Sequence, residues 1–439
     1  MSKRAYSPPL FSLLPGILLV ALLFVMGCGP EAPSSPELPE DLRTLVEGAE
    51  GRCGGLEAAD KEGCYEEVIL SRLDEEGVYE AIRVLEAIGS VDPEVERNGH
   101  DYVHGIGITA YQNNPSWSET FGQCTELYQS GCYHGVIQAR FMEMGEITAA
   151  DVNDLCEMYK GDPADRFVLF QCLHGMGHGL TMFYGHDLPV ALEGCDHLSA
   201  SWDQRSCYGG AFMENIMNAT APHHMVDDMM VEAGDAANAD RTLLESDQDA
   251  SLAEHEHPES EWAGLDAQDP LYPCSILEER YLPECYVMQT SAILWLNGWD
   301  IGQAADTCLT APEHMRQTCI QSLGRDIAGH VVGDHERGIQ ECSKAEAELR
   351  PWCHVGFVKN LIDVTARIDG ALAFCPRLDD RTGRLMCYEA IGEELYVLRA
   401  TGEERAAECA AVSGDEQQAC LSGARVVSVR PEGDASLRF

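Results

Sequence analysis

Histidine recurs at one position of a repeated unit, and this recurrence is the clearest sign of chemistry in the sequence. When the second cysteine of each unit is numbered zero, position +2 is His104, His134 or His174 in three successive units. Tyr102 takes the place of the cysteine in the first of them. No other unit has histidine there, and the chain contains only 15 histidines. The shared position therefore points to a shared role.

Two further histidines extend this pattern along the same helical face. His100 lies four residues before His104, and His178 lies four residues after His174. Residues four apart in a helix lie above one another on one face. Packed helices are about 8–10 Å apart, so imidazoles from neighbouring helices can meet. We therefore expect one stripe of five histidines across three adjacent helices.

Imidazole is a common ligand of zinc, copper, iron and nickel. The cysteines are expected to be oxidised, so the ligands would be histidine together with carboxylate or water. An all-histidine site in an oxidising compartment favours zinc or copper, with iron as a third option. Five histidines fit either one site or two sites that share the middle helix. The carboxylates proposed as an extra ligand or a general base are Asp101, Glu143 and Glu214.

The cysteines define the repeat. When each cysteine after Cys28 is assigned to its nearest neighbour, the first members of the pairs in the C-terminal half recur every 33 or 34 residues. This period is typical of helix-turn-helix solenoids. The sequence predicts an all-α fold, an α-solenoid of about ten helical hairpins, most of them stapled by a local disulfide. The predicted pairs are Cys53–Cys64, Cys124–Cys132, Cys156–Cys172, Cys195–Cys207, Cys274–Cys285, Cys308–Cys319, Cys342–Cys353, Cys375–Cys387 and Cys409–Cys420.

One unit illustrates the predicted hairpin. A first helix is expected from Gly298 to Cys308, a turn over 309–312, and a second helix from about Glu313 through Leu323. The two cysteines then face each other across the turn. Position +3 is often glycine or another small residue, as in Gly135, and we expect neighbouring helices to approach closely there.

This architecture resembles the Sel1-like and tetratricopeptide repeat families, in particular their cysteine-rich secreted members. The resemblance concerns the period and the disulfide placement, not residue signatures. It implies a surface that binds a protein partner on the concave face of the solenoid.

The N-terminus resembles the export signal of a bacterial lipoprotein. Lys3 and Arg4 precede an apolar run, and the segment ends in Val25-Met26-Gly27-Cys28, which is similar to a lipobox although Met26 is unusual at its position. We expect residues 1–27 to be a signal peptide, Cys28 to be lipidated, and 28–40 to be a Pro/Ser-rich tether; the alternatives are an uncleaved anchor and an ordinary signal peptide. The expected location is the bacterial cell envelope, on the outer membrane or the periplasmic face, with the membrane reached through the lipid.

The formal net charge is −45 and becomes −47 without residues 1–27, which hold two basic and no acidic residues. Such a surface attracts cations and excludes nucleic acid as a partner. Between Asp227 and Asp269 there are 14 acidic residues and one basic residue. We interpret 226–270 as an acidic insertion, a solvated loop rather than a calcium site, because its acidic residues lack EF-hand spacing.

The predicted domain order is an N-terminal helical-repeat stack over 41–225, the insertion, a C-terminal stack over 271–425 and a tail over 426–439. The sequence favours a lipid-anchored repeat protein with a histidine-rich transition-metal site. Such a site would also be compatible with a metalloenzyme. The alternative is a protein-protein interaction scaffold of the cell envelope without catalysis.

Overall fold

The computed structural model of the chain describes residues 39–114, 116–220 and 262–427, and it is entirely helical in these ranges. In these described ranges, twenty α-helices follow one another, joined by turns and short 3₁₀ segments. The predicted all-α repeat fold is therefore confirmed.

Eleven helices precede the acidic insertion. They are α1 Glu40–Cys53, α2 Ala58–Glu76, α3 Val78–Gly89, α4 Pro93–Arg97, α5 Gly99–Asn113, α6 Trp117–Phe121, α7 Gly131–Met142, α8 Ala149–Asp154, α9 Arg166–Phe183, α10 Leu188–Asp196 and α11 Ser201–Thr220.

Nine helices follow it. They are α12 Leu282–Asn297, α13 Ile301–Leu309, α14 Arg316–Val331, α15 His335–Cys342, α16 Arg350–Thr365, α17 Asp369–Phe374, α18 Arg381–Leu398, α19 Gly402–Cys409 and α20 Asp415–Gly423. From α3 onward long helices alternate with short ones on each side of the insertion, and each long helix packs against the next long one.

The hairpin expected around Cys308 and Cys319 is present with shifted bounds. Its first helix begins at Ile301 rather than Gly298, because Gly298 is left-handed (φ 69°) and ends α12. Asp300 then caps α13 by accepting a hydrogen bond from the Gln303 amide. The second helix begins with a 3₁₀ turn at Glu313 and continues as α14.

All nine predicted disulfides are present, with Cα–Cα distances of 5.5 to 5.8 Å. Each closes a loop of 8 to 16 residues between a short helix or turn and the long helix that follows. In the chain-entropy model a loop of this length stabilises the fold by about 3 kcal/mol. So many structural disulfides indicate an oxidising, extracytoplasmic environment.

Glycines set the spacing of the long helices, which pack in close pairs. In the α5–α7 pair, a Cβ added to Gly107 would lie 2.2 Å from the Cys132 carbonyl oxygen, and one added to Gly135 would lie 2.2 Å from that of His104. Only glycine allows backbones this close. The same reciprocal contact joins α9 to α11, α14 to α16 and α18 to α20.

The row of hairpins continues across the acidic insertion. Arg205 of α11 forms an ion pair with Glu284 of α12, with Nε and Oε1 2.5 Å apart. The Tyr281 hydroxyl also donates to Asp196 at 2.8 Å. The insertion therefore leaves the packing of the two predicted stacks continuous, although it lies between them in sequence.

The solenoid also folds back on itself. The Gln129 amide donates to Asn360 Oδ1 at 3.0 Å, which joins the turn before α7 to α16. Arg166, the first residue of α9, donates to the Tyr396 carbonyl oxygen of α18 at 2.9 Å. Segments more than 200 residues apart in sequence thus meet.

Several predicted features lie outside the described residues: the signal peptide, Cys28 and most of the tether, most of the acidic insertion, and most of the tail. Within the described ranges, no helix is both long and apolar enough to cross a bilayer.

Candidate metal centre

The five histidines of the predicted stripe converge in the structure. His100 and His104 lie on α5, His134 lies on α7, and His174 and His178 lie on α9. Ring centroids of neighbouring members are 4.7 to 5.7 Å apart, from His100–His104 at one end to His134–His178 stacked at 4.8 Å near the other. We call these five residues the histidine cluster.

The cluster contains two triads that share one residue. His100, His104 and His134 can each offer one nitrogen so that all three lie within 4.8 Å of one another, and so can His134, His174 and His178. Tetrahedral zinc with bonds of about 2.0–2.1 Å would bring ligand nitrogens about 3.4 Å apart. Small side-chain movements would therefore close either triad around an ion.

The helix packing explains why the rings meet. Gly135 lets α7 approach the α5 backbone directly at His104, and Gly210 lets α11 approach α9 at His174. His104, His134 and His178 are buried, whereas His100 and His174 are half-buried at the two ends of the cluster. A solvent-borne ion therefore meets His100 or His174 first.

On α5, one ring nitrogen of each histidine is fixed by an acceptor. His100 Nδ1 donates to the Tyr128 carbonyl oxygen at 2.8 Å, and His104 Nδ1 donates to Gln138 Oε1 at 3.3 Å. Donation from Nδ1 fixes the neutral tautomer in which Nε2 carries the lone pair. The Nε2 atoms of both rings are buried.

The same arrangement holds on α7 and α9. His134 Nε2 donates to Gln171 Oε1 at 3.1 Å, and His178 Nδ1 donates to Glu214 Oε2 at 2.8 Å. The remaining nitrogens, His134 Nδ1 and His178 Nε2, are buried without a hydrogen-bond partner among the described residues. A buried polar atom left unpaired costs about 1–3 kcal/mol.

Burial favours the neutral form of His134 and of His174. Loss of hydration, followed by the neighbouring His178 and His174, holds the pKa of His134 well below its usual value of 6.5. Burial and the neighbouring His178 and His100 likewise lower the pKa of His174. Neutral imidazole is the form that binds metal.

Glu214, predicted as an extra ligand or base, lies behind the cluster rather than inside it. It is 2 % exposed, and its carboxylate accepts a hydrogen bond from His178 Nδ1, which leaves His178 Nε2 for an ion. A carboxylate in this position orients a ligating histidine and raises its basicity. Glu214 is thus placed to position His178 and to add one negative charge near an ion.

His186 is a neighbour of the site that sequence reasoning missed. Its Nε2 lies 3.4 Å from the second oxygen of Glu214. His186 stands in the turn after α9, at a left-handed φ of 62°, and follows no repeat position. It lies eight residues after His178, but α9 ends at Phe183, so the turn geometry and not a continued helix face brings it to Glu214.

The two other predicted carboxylates stand apart from the triads. Glu143 is half-exposed at the end of α7, where it accepts a hydrogen bond from Tyr111 at 2.6 Å and lies 3.9 Å from Arg140. Asp101 is partly exposed in the first turn of α5 and belongs to neither triad.

Comparison of the chain with protein-family models, curated proteins and solved structures gave no match.

The shared residue bears on the number of ions. His134 takes part in both triads, but its Nε2 is engaged by Gln171, so it has one nitrogen to offer. One nitrogen lone pair binds one metal ion. Of the two sequence-level alternatives, a single ion therefore fits the hydrogen bonding better than two.

Proposed function

We propose that this chain is an exported protein whose histidine cluster binds one transition-metal ion. The observation that carries the proposal is a pair of buried nitrogens, His134 Nδ1 and His178 Nε2, which have no hydrogen-bond partner among the described residues. The other nitrogen of each of these rings is held by an acceptor. A metal ion would satisfy these lone pairs. The acidic surface would raise the local concentration of the cation.

The donor set narrows the metal. Neutral imidazoles without a thiolate suit zinc or copper, and iron less well. Glu214, through His178, offers a buried carboxylate beside the cluster that would partly offset the charge of a dication. We therefore propose zinc or copper as the native ion.

The test is metal titration of the purified protein after treatment with EDTA. We expect one equivalent of zinc or copper to bind and the midpoint of thermal unfolding to rise with metal concentration. Saturation at 100 times Kd stabilises a fold by about 2.7 kcal/mol. His134→Gln should abolish both effects because His134 belongs to both triads.

His314→Gln is the matched control. His314 is exposed, lies outside the cluster and hydrogen-bonds to Glu279, so its loss should leave metal binding intact. The circular dichroism spectrum of His134→Gln shows whether it has folded. If the folded variant binds zinc and copper as the parent does, or the parent binds neither, the proposal is wrong.

We also propose that the protein is a lipoprotein of the bacterial cell envelope, anchored through Cys28. The apolar run before Cys28 and the nine disulfides support export. Expressed in a bacterium, the parent should fractionate with membranes, whereas Cys28→Ser should lose lipid labelling. Equal labelling of both proteins would exclude this anchor.

A further inference from the structure

Three arginines surround one tyrosine ring where the solenoid folds back on itself. The guanidinium carbons of Arg425, Arg166 and Arg405 lie 4.0, 4.1 and 5.1 Å from the centroid of Tyr396. Arg166 opens α9, Arg405 lies on α19, and Arg425 follows α20. We call these four residues the arginine cluster.

The three arginines of this cluster have no carboxylate partner among the described residues. This is notable in a chain with 74 acidic and 29 basic residues, where many other arginines form ion pairs. Arg399, close by in sequence, forms an ion pair with Glu408. Yet none of the three clustered arginines is paired with a carboxylate of the described ranges.

Arg405 is the most constrained of the three. Its side chain is 8 % exposed, and its Nη1 donates to the Arg399 carbonyl oxygen at 3.2 Å. Its Nε is buried without a hydrogen-bond partner in the described part of the chain. Burial and the neighbouring Arg166 lower its pKa, which shows that the surroundings disfavour its charge. Buried arginine normally has an anionic partner.

Stacking on Tyr396 does not by itself explain three cations. One guanidinium on each face of a ring fills the sites where cation–π attraction is strongest. A third adds repulsion from the first two. The fold nevertheless brings together arginines from three separate segments, which is the arrangement expected if an anion sits among them.

We propose that the arginine cluster binds a phosphate-type oxyanion. The planar guanidinium donates two parallel N–H groups to such an anion, and several guanidiniums around it replace its hydration. The ligand would be inorganic phosphate or the phosphate of a lipid headgroup, which share this chemistry. The site is independent of the histidine cluster, and neither proposal requires the other.

The experiment is calorimetric titration of the full chain with inorganic phosphate, and separately with glycerol 3-phosphate as a headgroup analogue. EDTA removes metal that would itself bind phosphate, and chloride keeps the ionic strength constant. We expect saturable binding at one site. Tighter binding of glycerol 3-phosphate identifies a headgroup ligand, and tighter binding of inorganic phosphate identifies the free ion.

Arg425→Met tests the assignment without disturbing a buried side chain, because Arg425 is exposed. We expect its affinity for phosphate to fall at least about tenfold, since a charge-assisted contact is lost. Arg367→Met removes another exposed arginine, one that pairs with Asp369 outside the cluster, and should leave the affinity unchanged. Absence of phosphate binding, or equal affinity in parent and Arg425→Met, overturns the proposal.

Discussion

At the residue scale, the ring nitrogen that hydrogen-bonds to the protein matters for the site as much as the nitrogen that would bind the ion. Gln171 accepts a hydrogen bond from His134 Nε2, and Glu214 accepts one from His178 Nδ1. The other nitrogen of each ring therefore carries the lone pair. A residue that fixes a tautomer therefore shapes the site without touching an ion. Glu214 carries a charge that a Glu→Gln substitution would remove with almost no change of shape.

We expect Glu214→Gln to weaken zinc or copper binding about 10- to 100-fold, the usual effect of losing such a carboxylate. The amide keeps the volume of the carboxylate but removes the negative charge beside His178. Glu143→Gln is the matched control, because this carboxylate lies at the exposed end of α7. Competition titration with a chromogenic chelator measures both. Equal loss in the two variants would mean that general surface charge, not Glu214, sets the affinity.

His354 allows a residue-scale prediction on pH. It is buried in α16, neither ring nitrogen has a hydrogen-bond partner among the described residues, and burial followed by Arg350 lowers its pKa to about 4. Unfolding restores a pKa near 6.5, so the unfolded state gains the proton first as pH falls. The free energy of unfolding should therefore drop between pH 6.5 and 4, by roughly 3 kcal/mol in total from this group.

His354→Leu should lose this part of the pH dependence. Urea unfolding at pH 7.5, 6 and 5 in EDTA measures the free energy of unfolding of parent and variant. As pH falls, the free energy of unfolding of the parent should decrease more steeply than that of the variant. Parallel curves over this range would show that the protonation of His354 does not limit stability.

At the scale of elements, close helix pairs place the ligands. The same glycine contact occurs at Gly135 beside the histidine cluster and at Gly356 far from it, where an added Cβ would lie 1.8 Å from the Gln321 carbonyl oxygen. Gly135 and Gly356 make the same packing contact, but only Gly135 lies beside the histidine cluster. Substitutions at the two positions can therefore separate the effect of packing on stability from its effect on metal binding.

We expect Gly135→Ala and Gly356→Ala each to reduce the free energy of unfolding of the apo protein by about 2–3 kcal/mol, because the helices must move apart. Only Gly135→Ala should also weaken metal binding, since it displaces α7 from the backbone at His104. Gly63→Ala is the control. Nothing lies within 4 Å of its added Cβ, so a helix-favouring alanine should raise stability by up to about 1 kcal/mol. Unchanged metal affinity in Gly135→Ala would disconnect the close approach from the site.

At the scale of the whole molecule, the structure is a row of thin units with local disulfides. A single hairpin buries little apolar surface on its own. Each hairpin is covered mainly by the hairpins before and after it in the row. In the chain-entropy model each bridge contributes about 3 kcal/mol, which is large beside the 5–15 kcal/mol stability of an ordinary domain. We therefore expect the fold to depend on its disulfides.

Reduction and alkylation of all nine disulfides should unfold the chain at room temperature and abolish metal binding, because the three histidine-bearing helices lose their register. Circular dichroism follows the helix content, and the non-reduced protein treated with the same alkylating reagent is the control. A reduced, alkylated chain that keeps its helical signal would show that packing alone holds the solenoid.

The sequence was sufficient for the architecture and for the members of the cluster. Disulfide pairing and the position of His104, His134 and His174 within each unit are local in sequence, so a repeat period predicts them. The placement of Glu143 outside the site was not predictable, because its distance from His134 depends on which face of α7 meets solvent.

The sequence by itself determined the repeat, the disulfide staples and the histidine stripe, because each depends on spacing within a unit. Only the tertiary structure decided which ring nitrogen faces inward, that Glu214 orients His178, that His186 joins it, and that three arginines meet around Tyr396. These features depend on the rotation and rise from one hairpin to the next. That geometry is the sum of many small packing contacts, and no single segment of the chain encodes it.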